Sequence, residues 1–162
     1  MNIDYRHFIH HNITPRYEFG YGLTYTTFSY SNLSIAHSQS VNRSPAPPDA
    51  GRKAPSGGLD SLYDVLTTVS ATIKNTGSVA AAEVAQLYLG IPNSGVPKAL
   101  RGFEKTWLQP GEERMVEFPL RRRDLSVWDT GKQMWMLQEG SYEVMVGKSV
   151  GDIQMKDCFE VC

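Results

Sequence analysis

Apolar and polar residues alternate with a period of two along most of the chain beyond residue 64. In the segment 83–91, for example, Ala85, Leu87 and Leu89 fall in one row, and their neighbours form the other. This period is typical of half-buried β-strands, and turn residues such as those of 75–78 separate one segment from the next. The alternating segments are 65–74, 83–91, 100–108, 116–120, 134–137, 142–146 and 153–161.

An earlier strand is predicted over residues 23–35. Its apolar phase shifts between Tyr30 and Leu33, which indicates a β-bulge near Ser31 and Asn32. No stretch of the chain has the 3.6-residue apolar period of a helix. The pattern therefore predicts an all-β fold, an antiparallel β-sandwich of seven to eight strands.

Two segments lack strand periodicity. Residues 38–58 are rich in Pro, Ser, Gly and Ala, which predicts a flexible insertion between the first two strands. Residues 1–22 carry aromatic side chains without a sustained period. We divide the chain into this lead-in, 1–22, and a sandwich, 23–162. The lead-in either stays mobile or folds back on its own sandwich or on another copy of the chain. We expect weak order up to about Tyr17 and self-association at high concentration.

The composition fits one globular domain, since 41% of the 162 residues are hydrophobic. Lys plus Arg (16) nearly balance Asp plus Glu (17), so the basic surplus of a nucleic-acid-binding protein is absent. The chain contains no run of 18 or more apolar residues, so no membrane-spanning helix is predicted. The one basic cluster, Arg121-Arg122-Arg123, is followed at once by Asp124. We interpret it as a solvated turn, with a polyanion site as the alternative.

Metal and cofactor chemistry is not predicted. His7, His10 and His11 have no acidic or cysteine partner at a defined spacing, so we expect no metal site. The segment 20–22 begins like a dinucleotide-binding loop but lacks its third glycine and a following helix, so we expect no cofactor.

The carboxylates also give no catalytic pattern. A glycosidase needs two of them, and Glu104, Asp124 and Asp129 are candidates. Each lies beside basic residues in a turn-like context, so we predict structural roles and no catalytic residue.

Three tryptophans allow two interpretations. Trp107, Trp128 and Trp135 could form an aromatic surface on which a sugar stacks. Aromatic residues at strand positions more often fill a core, and we favour the core interpretation.

Three glycosylation sequons begin at Asn12, Asn32 and Asn42 and weakly indicate a secretory route. We expect Asn32 and Asn42 to be exposed and usable, and Asn12 less so because a proline follows its sequon. The first residues are polar and resemble no signal peptide, which is consistent with the tail of a longer secreted protein.

The two cysteines, Cys158 and Cys162, lie four residues apart, about 13 Å in a strand. That distance is too long for a disulfide, so we interpret them as free or intermolecular thiols on the face opposite the apolar row.

The order of the motifs resembles one known family. The stretch Asn12-Ile-Thr-Pro-Arg-Tyr-Glu-Phe-Gly-Tyr-Gly-Leu-Thr-Tyr-Thr-Thr-Phe28 resembles the end of the second catalytic domain in glycoside hydrolase family 3. The motifs that follow resemble the C-terminal fibronectin type III-like domain of fungal β-glucosidases in that family. They are Asn75-Thr-Gly, Glu83-Val-Ala-Gln-Leu-Tyr88, Leu100-Arg-Gly-Phe-Glu-Lys105, Leu108-Gln-Pro-Gly-Glu112, Arg122-Arg-Asp-Leu-Ser126 with Trp128-Asp129, and Glu139-Gly-Ser-Tyr142 with Val146-Gly147.

This resemblance implies an accessory role and no chemistry in the chain itself. The family hydrolyses terminal β-D-glucosyl residues with an Asp nucleophile and a Glu acid/base in preceding domains. The Ser-Asp-Trp signature of that nucleophile and the family's substrate-binding Lys-His pair are absent here. The lead-in would be a remnant of the preceding catalytic domain, and those domains of the same polypeptide would be the partner.

The resemblance therefore predicts a non-catalytic domain of a secreted, extracellular β-glucosidase that stabilises the catalytic domains. Two alternatives remain: a stand-alone module that binds polysaccharide or lignin, and a protein-interaction sandwich.

Overall fold

The computed structural model of the chain describes residues 3–162. Within that range it contains one short helix, nine strands and two single 3₁₀ turns. In chain order they are α1 (Tyr5–His10), β1 (Phe28–His37), a 3₁₀ turn (Asp60–Tyr63), β2 (Val65–Asn75), β3 (Ala81–Gly90), β4 (Ala99–Leu108), β5 (Glu113–Arg121), a 3₁₀ turn (Arg122–Leu125), β6 (Ser126–Asp129), β7 (Met134–Leu137), β8 (Gly140–Gly147) and β9 (Ile153–Val161).

Seven of these strands form two antiparallel sheets. One sheet has the order β1-β2-β5, and the other has the order β4-β3-β8-β9. Strands β6 and β7 pair only with each other and form a separate ribbon. The predicted antiparallel β-sandwich is confirmed, with this ribbon attached to it.

The core lies between the two sheets and is built from the inward row of each strand. The period-two pattern explains it, because alternate side chains of a strand point to the same face. Gly102 of β4 lies so close to the opposite sheet that a Cβ there would stand 3.1 Å from Cδ1 of Phe118. The core residues with no measurable exposure are Val69, Ile73, Ala85, Leu87, Leu108, Leu120, Tyr142, Val144 and Val146.

The predicted bulge in the first strand is confirmed. The β1–β2 register shifts between Ser31 and Ser34, and Asn32 has a φ of 54°. Asparagine tolerates this left-handed backbone conformation better than most residues do.

The lead-in folds back over the outer face of the four-stranded sheet. Tyr5 and Ile9 of α1 pack against a small cluster formed by Tyr88, Met145 and Val150. The sequence analysis predicted no helix, and this prediction was wrong for residues Tyr5–His10. The i, i+4 spacing of Tyr5 and Ile9 places both on one face of a short helix, where the sheet covers them.

Hydrogen bonds reinforce this contact. The Leu100 N–H donates to the hydroxyl of Tyr5 at 2.8 Å, and the Val150 N–H donates to the carbonyl of Phe19 at 3.0 Å. The side chain of Gln86 donates to the carbonyl of Gly20 at 2.9 Å. The lead-in therefore folds back on the sandwich. Our expectation of weak order up to about Tyr17 was wrong, because packing and hydrogen bonds hold this segment on the sheet.

The insertion 38–58 contains neither helix nor strand, and one buried arginine contacts it. Arg122 is fully buried and donates to the carbonyl oxygens of Asn42 and, at 2.8 Å, Ser44. The solvated-turn interpretation of the basic cluster was therefore wrong for Arg122. Position 122 continues the inward row of β5 (Val116, Phe118, Leu120), which directs its side chain beneath the insertion.

Candidate functional site

Many exposed large apolar side chains lie on the lead-in and on the segment that joins it to β1. Leu23 is 88% exposed and Tyr25 is 96% exposed, although large apolar side chains are normally buried. Exposed apolar residues concentrated in one segment are typical of an interaction site. We call the following residues the lead-in surface: Ile3, Phe8, Ile13, Tyr17, Phe19, Tyr21, Leu23 and Tyr25.

A cleft of about 560 Å³ opens within this surface. Phe8 and Ile13 contribute apolar walls, whereas Lys98 and Glu18 bring opposite charges to its lining. Glu18 is fixed by a hydrogen bond that its carboxylate accepts from Ser149 at 2.8 Å. The cleft can therefore receive apolar side chains and a polar group together.

The tryptophans are not core residues, which corrects our favoured interpretation. Trp107 is 56% exposed because it lies in the outer row of β4, an edge strand. Trp128 is 42% exposed and Trp135 is half-buried, since both belong to the β6–β7 ribbon outside the sandwich. Trp107 thus belongs to a different surface from the other two.

Trp128 and Trp135 pair across the ribbon. Their ring centroids lie 5.6 Å apart in an edge-to-face arrangement, and the Arg123 guanidinium lies 5.4 Å from the Trp135 centroid. Such pairs stabilise a ribbon beyond the area that they bury. Both rings line a pocket of about 140 Å³ toward the sandwich and a cleft of about 310 Å³ toward the insertion.

The pocket toward the sandwich contains two arginines that the sequence analysis did not single out. Arg6 of α1 and Arg101 of β4 line it together with the tryptophan pair. Their positions, 95 residues apart in the chain, meet only because the lead-in folds onto the sheet.

The three carboxylates considered as glycosidase candidates lie in separate local structures. Asp124 accepts a hydrogen bond from the Arg121 N–H at 2.9 Å, and Asp129 accepts one from the Gly131 N–H at 2.9 Å. Both therefore stabilise turns, and Glu104 is exposed on β4. The structure does not bring these three together as a hydrolytic pair.

A buried carboxyl that the sequence analysis missed is Glu83 of β3. It is only 8% exposed and accepts a hydrogen bond of 2.7 Å from the Tyr30 hydroxyl of β1. Burial raises the pKa of Glu83 above its usual value, partly opposed by this hydrogen bond. A signal was present in the sequence, since position 83 is in phase with the apolar row Ala85, Leu87 and Leu89.

This raised pKa links Glu83 to stability. The folded state holds the proton more tightly than the unfolded state does. The contribution of Glu83 is therefore complete below the unfolded pKa and is lost as the pH rises through the folded pKa.

The three histidines of the lead-in and both cysteines are exposed. The ring centroid of His11 lies 4.4 Å from that of His7 and 4.9 Å from that of His10. Across residues 3–162 no group of three or more His, Cys, Asp or Glu is arranged to hold a metal ion. Cys158 and Cys162 are both free and exposed at the end of the edge strand β9.

The sequon asparagines Asn12, Asn32 and Asn42 all lie at exposed positions. In the part of the chain that the structure describes, no helix is long and apolar enough to cross a membrane.

Two facing antiparallel sheets with this strand order define the chain as a member of the fibronectin type III-like class. Residues 83–150 match the family model of the fibronectin type III-like domain. The chain is a domain of the kind that fungal glycoside hydrolase family 3 β-glucosidases contain, which confirms the resemblance carried by its motifs.

The similarity covers nearly the whole chain. The chain is 52% identical over 159 residues to beta-glucosidase cel3A of Pyricularia oryzae, covering 98% of this chain and 19% of that protein. It is 50% identical over 159 residues to probable beta-glucosidase M of Aspergillus niger, with coverages of 98% and 20%. The chain thus spans about a fifth of the length of these relatives.

Solved structures show the same relation. The beta-D-glucoside glucohydrolase of Trichoderma reesei matches with a TM-score of 0.89 and 44% identity, covering 99% of this chain and 22% of that one. A glycoside hydrolase family 3 beta-glucosidase of Neurospora crassa matches with a TM-score of 0.88 and 30% identity, with coverages of 97% and 27%.

Proposed function

We propose that the chain is a non-catalytic accessory domain of a β-glucosidase, and that it packs against the catalytic domains of the same polypeptide and stabilises them. The relatives support this proposal, because about four-fifths of their length lies outside the match and is long enough for further domains. The hydrolysis of terminal β-D-glucosyl residues would take place in those domains.

The lead-in surface is the observation that carries the proposal. Elsewhere in the lead-in, Tyr5 and Ile9 already contact the sandwich, whereas Leu23 and Tyr25 of this surface project almost fully into solvent. Covering each of these two side chains would stabilise the parent protein by about 1.5–3 kcal/mol. A preceding domain, joined to the sandwich by the lead-in, is the simplest cover for them.

A double substitution tests this role in the natural polypeptide that contains the chain. Leu23→Ser with Tyr25→Ser should lower the temperature at which β-glucosidase activity is lost by several degrees. In the 162-residue chain alone the same change should leave the melting temperature unaltered, because both side chains are already exposed. Met115→Ser, at a position 61% exposed on β5, is the matched control. An equal response of the parent enzyme to both changes would contradict the proposal.

We also propose that the chain is secreted and extracellular as part of the parent enzyme, with glycans on Asn32 and Asn42. The exposure of these side chains supports this. Expression in a fungal secretory host, followed by enzymatic removal of N-glycans, should lower the mass at both positions. Glycan-free protein from the secreted fraction would overturn this proposal.

A second function, adsorption to polysaccharide or lignin, is favoured by one observation. Phe103 and Trp107 are 67% and 56% exposed in the same outer row of β4. Trp107→Ala should reduce retention of the chain on insoluble cellulose or lignin. Equal retention of the variant and the original chain would remove this candidate.

A further inference from the structure

We propose that the pocket between the β6–β7 ribbon and strands β3 and β4 binds a hexuronate, a pyranose sugar that carries a carboxylate. The lining of this pocket of about 140 Å³ includes two arginines, Arg6 and Arg101, and the paired Trp128 and Trp135. The proposal does not depend on the accessory role above, because it concerns a site within this chain.

Within residues 3–162 no direct ion pair neutralises either pocket arginine. The only ion pairs across residues 3–162 join Lys74 to Glu113 and Arg114 to Glu112, so neither pocket arginine has a carboxylate partner there. The Nε of Arg6 is buried without a hydrogen-bond acceptor in that same range. A buried donor left in this state is costly, and it belongs to a guanidinium group whose positive charge a bound anion would balance.

Arg101 is held in place for such an anion. Its Nε donates to the backbone carbonyl of Asp124 at 2.8 Å, which fixes the plane of the guanidinium group. Burial lowers the pKa of Arg101; attraction to Asp124 opposes this change, while repulsion from Arg6 and Arg123 adds to it. A carboxylate between the two pocket arginines would balance that repulsion and accept hydrogen bonds from a planar guanidinium fork.

The aromatic side of the pocket favours a sugar over a simple anion. Trp128 and Trp135 meet edge to face, and Trp128 remains 42% exposed, so ring surface is accessible beside the charged groups. The C–H face of a pyranose is apolar and packs on such rings, while a few placed polar groups fix its orientation. Arginine for a carboxylate and tryptophan for a ring, in one small pocket, together describe a uronic acid.

Three small probes separate these contributions. Methyl β-D-glucuronide carries both ring and charge, methyl β-D-glucoside carries the ring alone, and acetate carries the charge alone. We expect the glucuronide to bind the 162-residue chain about tenfold more tightly than either of the others. Binding can be measured by tryptophan fluorescence and by NMR shifts of the indole N–H groups.

Substitutions assign the binding to the pocket. Arg101→Gln and Arg6→Gln should each weaken glucuronide binding about tenfold while leaving glucoside binding unchanged. Arg114→Gln, which removes an arginine on β5, is the matched control and should have no effect. If Arg101→Gln lowers the melting temperature, Arg101→Lys and Arg6→Gln decide, since lysine keeps the charge and loses the fork.

Three results would overturn the proposal. They are no glucuronide binding at about 50 mM, equal binding of acetate and glucuronide, and equal binding of glucoside and glucuronide.

Discussion

Tyr5 offers the sharpest test of whether the lead-in is an integral part of the folded domain. Its ring stacks on Phe19 with centroids 4.5 Å apart and meets the edge of Tyr88 at 6.3 Å. Its hydroxyl also accepts the hydrogen bond from the Leu100 N–H. Tyr5→Ala therefore removes an aromatic contact and a backbone acceptor at once.

The expected magnitude follows from these contacts. Losing a partly buried aromatic ring costs about 1.5–3 kcal/mol, and losing the acceptor of Leu100 costs about 1 kcal/mol more. Tyr5→Phe keeps the ring and should cost only the latter. For a domain of this size each kcal/mol lowers the melting temperature by about 2–4 °C.

Urea unfolding followed by tryptophan fluorescence measures the global cost, because all three tryptophans lie in the sandwich or its ribbon. Amide exchange at Leu100 should accelerate in both Tyr5 variants. Tyr25→Ala is the matched control, since this tyrosine is 96% exposed and should change stability by less than about 0.5 kcal/mol. If Tyr5→Ala and Tyr25→Ala behave alike, the lead-in is not part of the cooperative unit and our reasoning is wrong.

Two further predictions concern buried charged groups. Glu83→Gln should gain stability relative to the original chain as the pH rises from below about 4 to neutrality, because only the original chain loses the contribution of a protonated Glu83. Urea titrations at several pH values measure this difference, and the control Glu104→Gln should show no such trend. The same trend in both variants would contradict the role of Glu83. Arg122→Met should release the insertion from the sandwich and increase proteolytic cleavage between residues 42 and 48, whereas Arg121→Gln, at an exposed position, should not. Unchanged cleavage of the Arg122 variant would show that the carbonyl contacts do not hold the insertion.

Much of the fold could be predicted because it depends on local alternation. Inward rows such as Ala85, Leu87 and Leu89 are buried as their period requires. The phase change before Leu33 located the bulge, since a single extra residue must shift every later side chain to the other face.

The remaining features depend on contacts between distant segments. Tyr88 lies on the face of β3 that a two-sheet sandwich leaves to solvent, and only the returning lead-in buries it. Arg122 continues the inward row of Leu120. A charged residue at the end of such a row predicts an exposed side chain, and the sequence does not show that the insertion covers it. Arg6 and Arg101 share a pocket only because the lead-in folds onto the sheet, and no local sequence pattern predicts that contact.

The size of the native polypeptide tests the central claim most directly. Peptides of this chain should be traced by mass spectrometry to one intact protein of the source organism. Because the chain spans about a fifth of its relatives, we predict that this protein is several times heavier than 18.1 kDa and hydrolyses aryl β-glucosides. A native product of about 18.1 kDa, without the preceding domains, would contradict the proposal that the chain serves as an accessory domain of a β-glucosidase.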